Sequence, residues 1–190
     1  AESLSASDMS SPVQALSAGL AVNDFELFGL PFGFAQERSV IDARWKELQR
    51  EAHPDKFASK GTAAQRVAMQ WSVRINEAHQ RLKDPLKRAA YLCELGGVPI
   101  DAERNTAMPA DFLMQQMTWR EALDDAHQLD ELETLHHDVL AAHREALTQC
   151  GVLIDQEARL DQAAQQVRRL MFIERFMRDI EDKMDAAHDA

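Results

Sequence analysis

His53-Pro54-Asp55 places an imidazole, a fixed backbone and a carboxylate side by side. Proline disfavours the helical basin for the residue before it, so the helix predicted over residues 38–52 ends at His53 and Pro54 sets the exit direction. The tripeptide reads as a recognition turn that presents two polar side chains outward. A second group with chemical potential is Leu113, Met114 and Met117, followed along the same helical sector by Glu121, Asp124 and Asp125. An apolar patch bordered by carboxylates suits protein contact, and methionine adapts its shape to a partner. His136, His137 and His143 share a predicted helix, but no cysteine or carboxylate pair completes a tetrahedral set, so no metal is expected. Neither a phosphate-cradling glycine loop nor a catalytic constellation is evident.

The elements that must position these residues are helices. Asn23 or Asp24 can cap a short helix, Phe25 to Leu30, before Pro31 and Gly33 open a loop. Ile41, Trp45, Leu48 and Ala52 then recur at intervals of 4, 3 and 4, which stacks them on one face and leaves Arg44, Lys46 and Arg50 on the other. After the turn Thr62 can cap a helix in which Ala68, Trp71, Ile75, Ala78 and Leu82 repeat the pattern, until Asp84-Pro85 ends it. Leu86 to Leu95 forms a short fourth helix. Two long helices joined by about ten residues lie antiparallel. His53-Pro54-Asp55 falls at their tip, and Arg44, Lys46, Arg50 and Lys56 make a basic surface leading to it, suited to an acidic partner.

A boundary is expected near Gly96-Gly97-Val98-Pro99, followed by a polar stretch and Pro109. Beyond it three helices are predicted, at about 109–127, 129–149 and 152–187, with Gly151 stopping the middle one. In the first, Phe112, Trp119, Leu123 and Ala126 form a core stripe that excludes Leu113, Met114 and Met117. In the last, Leu160, Ala163, Val167, Leu170, Met171, Met177 and Met184 share a core stripe, while Phe172 and Phe176 point nearly opposite and are candidates for exposed aromatics. Either the two anomalous faces adjoin as an outward binding surface, or they pack against the other module or the middle helix.

Composition agrees with an all-α fold: 190 residues hold 45% hydrophobic and 28% charged side chains but only 7 glycines and 6 prolines, and strand-like alternation is hard to find. The two cysteines, Cys93 and Cys150, read as buried thiols in a reducing compartment. No run approaches the roughly 18 apolar residues of a membrane span. Residues 1–22 lack Lys and Arg and any apolar signal core, and are expected as a disordered tail. The net charge of −11 is unevenly spread, with +4 over residues 36–95 and −11 over residues 101–190. This points either to two modules with different partners, the second not nucleic acid, or simply to two solvated surfaces.

The segment Asp24-Phe25-Glu26-Leu27-Phe28-Gly29-Leu30, the basic helix and His53-Pro54-Asp55-Lys56-Phe57 together resemble the J-domain of Hsp70 co-chaperones. Ile75-Asn76-Glu77-Ala78, Leu82-Lys83-Asp84-Pro85, Arg88-Ala89-Ala90-Tyr91-Leu92 and Phe112-Leu113-Met114 extend the likeness to the iron-sulfur-cluster co-chaperones of the HscB type, over nearly all of residues 23–187. The resemblance implies a tail (1–22), a J-domain (23–96), a linker (97–108) and a client-binding three-helix domain (109–190). It implies a specialised Hsp70-type chaperone (HscA type) and the iron-sulfur scaffold protein (IscU type) as partners, with no nucleic acid, membrane, cofactor or catalysis of its own. A general J-protein serving another client is the alternative.

By the same resemblance His53, Pro54 and Asp55 trigger the partner ATPase, Asp55 by pairing with an arginine of the Hsp70 and His53 by orienting the loop. Leu113, Met114, Met117, Glu121, Asp125 and Phe172 hold the scaffold, and Thr118 stands where the family favours an acidic residue. No cysteine occurs in residues 1–22, whereas some eukaryotic members carry a cysteine-rich element there, so a bacterial-type cytoplasmic member is expected.

Overall fold

The computed structural model describes residues 20–102, 104 and 108–190; the expected tail therefore lies almost wholly outside the described residues. Among these there is no strand, and the chain forms α1 (Asp24–Phe28), α2 (Arg38–Glu51), a 3-10 turn (Pro54–Lys60), α3 (Thr62–Lys83), α4 (Pro85–Leu95), α5 (Ala110–Asp125), α6 (Leu129–Gly151), a π-turn (Val152–Gln156) and α7 (Leu160–His188). They divide into two compact units: residues 20–32 with 36–84, and residues 33–35 with 85–190. The division at Asp84–Pro85 comes one helix before the glycine pair at 96–97, because Ala89 and Cys93 of α4 bury themselves among Cys150, Leu153, Ala163 and Val167.

In the first unit Ile41, Leu48 and Ala52 of α2 are buried, as are Ala68, Trp71, Ile75, Ala78 and Leu82 of α3. Asp42 meets His79, Trp45 meets Asn76 and Gln49 meets Ser72. The rising numbers on α2 against falling numbers on α3 fix the pair as antiparallel. The caps differ in detail from the sequence reading. Asn23 is the N-cap of α1, its Oδ1 accepting from the Glu26 amide at 2.9 Å. Gly61, at φ +97°, precedes α3, leaving Thr62 as the first helical residue without a side-chain capping bond; that backbone conformation favours a residue without a Cβ.

Asp24 is not a cap at all. Fully buried, its carboxylate accepts from Arg74 Nη1 at 2.6 Å, Arg81 Nε at 2.6 Å and Arg81 Nη2 at 2.9 Å. Arg74 also donates to the Val22 carbonyl at 2.8 Å, so one guanidinium holds both the start of α1 and the strand of chain before it to α3.

The second unit contains a three-helix bundle. α6 and α7 run antiparallel, with His143 opposite Glu174 and His136 opposite Glu181. α5 runs parallel to α7, with Gln115 bonded to Arg169 and Arg120 to Asp179. Gly151 does not stop α6: its φ of −59° is ordinary helix, and the chain continues through the π-turn until Ala158 turns it at φ +53°. Glycine serves a packing purpose at 151, since an added Cβ would lie 3.2 Å from the Phe34 ring.

Cys93 and Cys150 sit in this unit's core, and burial pushes their thiols up to about 11 and about 12. Thiolate is the reactive form, so a thiol reagent at neutral pH should leave both unmodified in the folded protein and label both on denaturation. A raised acid pKa also favours folding until unfolded thiols ionise. The thiols' contribution should therefore fade as pH climbs past the ordinary value of 9.0 toward about 11, seen as a falling urea midpoint that Cys93→Ala/Cys150→Ala does not share.

Candidate functional site

The tip of the first unit is built by local sterics. α2 ends at Glu51, Ala52 caps it, and His53 is extended (φ −61°, ψ 129°) before Pro54 begins the 3-10 turn. His53 Nδ1 accepts from the Asp55 backbone amide at 3.2 Å, so the ring closes the turn, and the same nitrogen lies 3.6 Å from Asp55 Oδ2. Phe57 is buried against Ala64 and Ala68, which pins the turn to α3 from beneath. The outcome is a held backbone with a free carboxylate: the Asp55 side chain is 92% exposed.

The basic surface is smaller than the spacing suggested. Lys46, Arg50 and Lys56 are exposed. Lys46 and Arg50 share with Trp45, Gln49 and Asn76 a shallow depression of about 550 Å³. Arg44 is otherwise engaged: its Nε donates to the Phe28 carbonyl at 2.8 Å and its guanidinium pairs with Glu47. It satisfies the C-terminal end of α1, which leaves its charge only partly available. Asn76, absent from the sequence reading of the site, supports this surface, since its Oδ1 accepts from both Trp45 Nε1 (2.9 Å) and Gln49 Nε2 (2.7 Å).

In the second unit, Phe112, Trp119, Leu123 and Ala126 are buried and turn the other side of α5 outward. Leu113, Met114 and Met117 are 46%, 69% and 64% exposed, with Glu121, Asp124 and Asp125 exposed farther along the helix. This face is uncovered within its own unit. A run of large apolar side chains left in water beside carboxylates is the composition of a docking surface rather than of a core.

α7 corrects the sequence reading. Phe176 is fully buried, stacked on Trp119 at 5.9 Å and on Phe172 at 6.0 Å, while Met171 is exposed. The cause is a change of partner along the helix. Its first half buries Ala163, Val167 and Leu170 with α4, the end of α6 and the π-turn, whereas its second half buries Ile173, Phe176 and Ile180 with α5 and the start of α6. At 100° per residue the buried face thereby rotates by roughly 115°. Phe172 falls at the seam: half-buried, edge-on to Phe112 at 5.6 Å, with the remainder of its ring facing outward beside α5. His136 and His143 are occupied by glutamates of α7, and among the described residues no group of three His, Cys, Asp or Glu is placed to hold a metal ion. No described helix is long and apolar enough to cross a membrane.

Residues 108–181 match the family model described as the HSCB C-terminal oligomerisation domain. The co-chaperone protein HscB homolog of Burkholderia multivorans is 48% identical over 160 residues, covering 82% of this chain and 90% of the relative. That of Burkholderia thailandensis is 49% identical over the same shares. Among solved structures, chaperone HscB from Vibrio cholerae superposes with a TM-score of 0.75 at 35% identity, covering 87% of this chain and 99% of that one. Human co-chaperone protein HscB, at 23% identity and a TM-score of 0.76, shares the fold. With an exposed His53-Pro54-Asp55 turn on one all-helical unit, an exposed Leu-Met face on the other and near-half identity to the two Burkholderia relatives over most of their length, the chain belongs to the HscB co-chaperone family.

Proposed function

We propose that the chain stimulates the ATPase of a specialised Hsp70 of the HscA type through His53-Pro54-Asp55 and delivers an iron-sulfur scaffold protein of the IscU type to it. In this reading residues 23–96 act as the J-domain and residues 109–190 as the client-binding domain. The observation that carries it is the coexistence of two docking features of different chemistry: an exposed carboxylate on a pinned turn, and an exposed Leu113-Met114-Met117 face bordered by acids. The chain makes and breaks no bonds itself. Asp55 meets a cation of the chaperone, a charge-assisted contact that strengthens where the interface excludes water. Lys46, Arg50 and Lys56 speed encounter with an acidic surface. Leu113, Met114, Met117 and the outer edge of Phe172 fill apolar pockets of the scaffold, with Glu121 and Asp125 setting register at the rim. Tethering both sites on one chain raises the concentration of client near the chaperone, so ATP is hydrolysed when cargo is present.

A steady-state ATPase assay of the cognate Hsp70 tests this. Addition of the protein should raise turnover, and scaffold should raise it further. No stimulation in either condition sinks the reading, while stimulation indifferent to scaffold would leave a general J-protein with another client.

A further inference from the structure

The second unit is acidic, with a net charge of −11 over residues 101–190, yet one groove in it is lined mainly by cations. A groove of about 720 Å³ runs between α5 and α7, walled by Leu86, Met108, Leu113, Met171 and Phe172 and lined by three cations, Arg168, Arg175 and Arg178, against one carboxylate, Glu174, which is bonded to His143 at 3.1 Å. It opens onto Leu113, one of the three exposed residues of the apolar face. A neighbouring depression of about 560 Å³, floored by Phe172 and Phe176, shares Arg175 and Arg178 and adds Arg120, but there Asp179, Glu181 and Asp182 balance the charge. Four of the nine Lys and Arg of residues 101–190 thus border one seam, and the larger groove holds three of them against a single carboxylate.

Two of these arginines have no carboxylate partner among the described residues: Arg175 and Arg178 are exposed at the rim and make no ion pair there. Arg168 is the more telling. It is only 8% exposed, its Nη1 donates to the Ile100 carbonyl at 3.0 Å, and its buried Nε has no acceptor. An unsatisfied guanidinium N–H costs free energy unless something fills the site, because burial removes its water.

We infer that the groove receives an acidic segment of the client: a Glu or Asp carboxylate seated against Arg168, Arg175 and Arg178, with a neighbouring apolar side chain against Met171 and Phe172. The inference rests on the reading of the Leu113-Met114-Met117 face as the client surface and deepens it. A free inorganic anion would make no use of the apolar walls, whereas a peptide carrying both chemistries would use all of them. The client interface then has two polar borders of opposite sign, the carboxylates Glu121 and Asp125 along α5 and the arginines on α7. Two opposed charge borders fix the orientation in which a partner docks, since rotating it sets like charges together. On sequence alone Arg168, Arg175 and Arg178 share one helical sector at spacings of 7 and 3, a signal concealed by the negative total.

Calorimetric titration of the full chain with the cognate scaffold, at low and high salt, tests it. Arg175→Ala/Arg178→Ala, both at exposed positions outside the core, should weaken binding at least ten-fold and flatten its salt dependence. Arg175→Lys/Arg178→Lys should recover part of the loss, because Lys keeps the charge but not the forked geometry. Stimulation of the chaperone ATPase without scaffold should be unchanged in both. Unaltered affinity in the alanine pair, while Leu113→Ser/Met117→Ser abolishes binding, overturns the groove and leaves the client face standing. Unaltered affinity in all of them overturns both together.

Discussion

Asp24→Ala should destabilise the first unit by about 3 kcal/mol, near the lower end of the range for removing one member of a buried ion pair. The carboxylate is fully buried and takes three hydrogen bonds from Arg74 and Arg81, so its loss removes the anion that both guanidinium groups face. The penalty stays near the lower end because Arg81 is 38% exposed and can turn toward water, whereas Arg74, at 14%, cannot do so as readily. By the same argument Arg81→Ala should cost less than Arg74→Ala. Since Trp45 and Trp71 lie in the first unit and Trp119 in the second, bulk fluorescence mixes the two units. Hydrogen exchange of the α3 amides separates them, and protection there that survives Asp24→Ala intact would show that the arginines find other partners. The site matters for function because α1, held by this network, in turn receives Arg44 from α2 at the Phe28 carbonyl.

The second large effect is functional and should split cleanly. Asp55→Ala should remove nearly all stimulation of the chaperone ATPase while leaving scaffold affinity intact, because the side chain is almost wholly in solvent and only its backbone amide holds the turn, through His53 Nδ1. Leu113→Ser with Met117→Ser should do the reverse. Each side chain transfers roughly 1.5 kcal/mol or more on full burial, so the pair should lose about 3 kcal/mol, roughly a hundred-fold in affinity. These two are a better probe than Phe172→Ala, which would also disturb the stack with Phe112 and Phe176 inside the bundle. Folding should survive both changes, as circular dichroism would check together with amide exchange of α3 for the first unit and of α6 for the second. If either variant lost both activities, the division of labour between the two docking features would be wrong.

The turn at His53-Pro54-Asp55 and the exposed face on α5 were legible because both are written in short-range rules. Proline acts on its neighbour, and an amphipathic stripe repeats every 3.6 residues whatever it packs against. Phe112, Trp119 and Leu123 therefore predicted their own burial and, by exclusion, the exposure of Leu113, Met114 and Met117. The same rule failed on α7. Periodicity assumes one buried face, but this helix passes from one set of neighbours to another, and Phe176 and Met171 exchanged their expected places.

Asp24 was missed for a related reason. An acidic residue beside a helix start reads locally as a cap, and only the arrival of Arg74 and Arg81, fifty and fifty-seven positions later, makes it a buried anion. Gly151 likewise carries a helix-stop signal, but Phe34, which alone explains the missing Cβ, is far away in the chain.

By itself the sequence determined the helices, the sharp tip at His53-Pro54-Asp55 and the apolar sector of α5, since each follows from sterics and spacing within a few residues. Tertiary structure alone decided that Arg44 is engaged at α1, that Phe172 is half-buried against Phe112 and Phe176, and that Arg168, Arg175 and Arg178 converge on one groove. Burial and electrostatic pairing depend on which surface arrives opposite, and that is settled by contacts between residues distant in the chain.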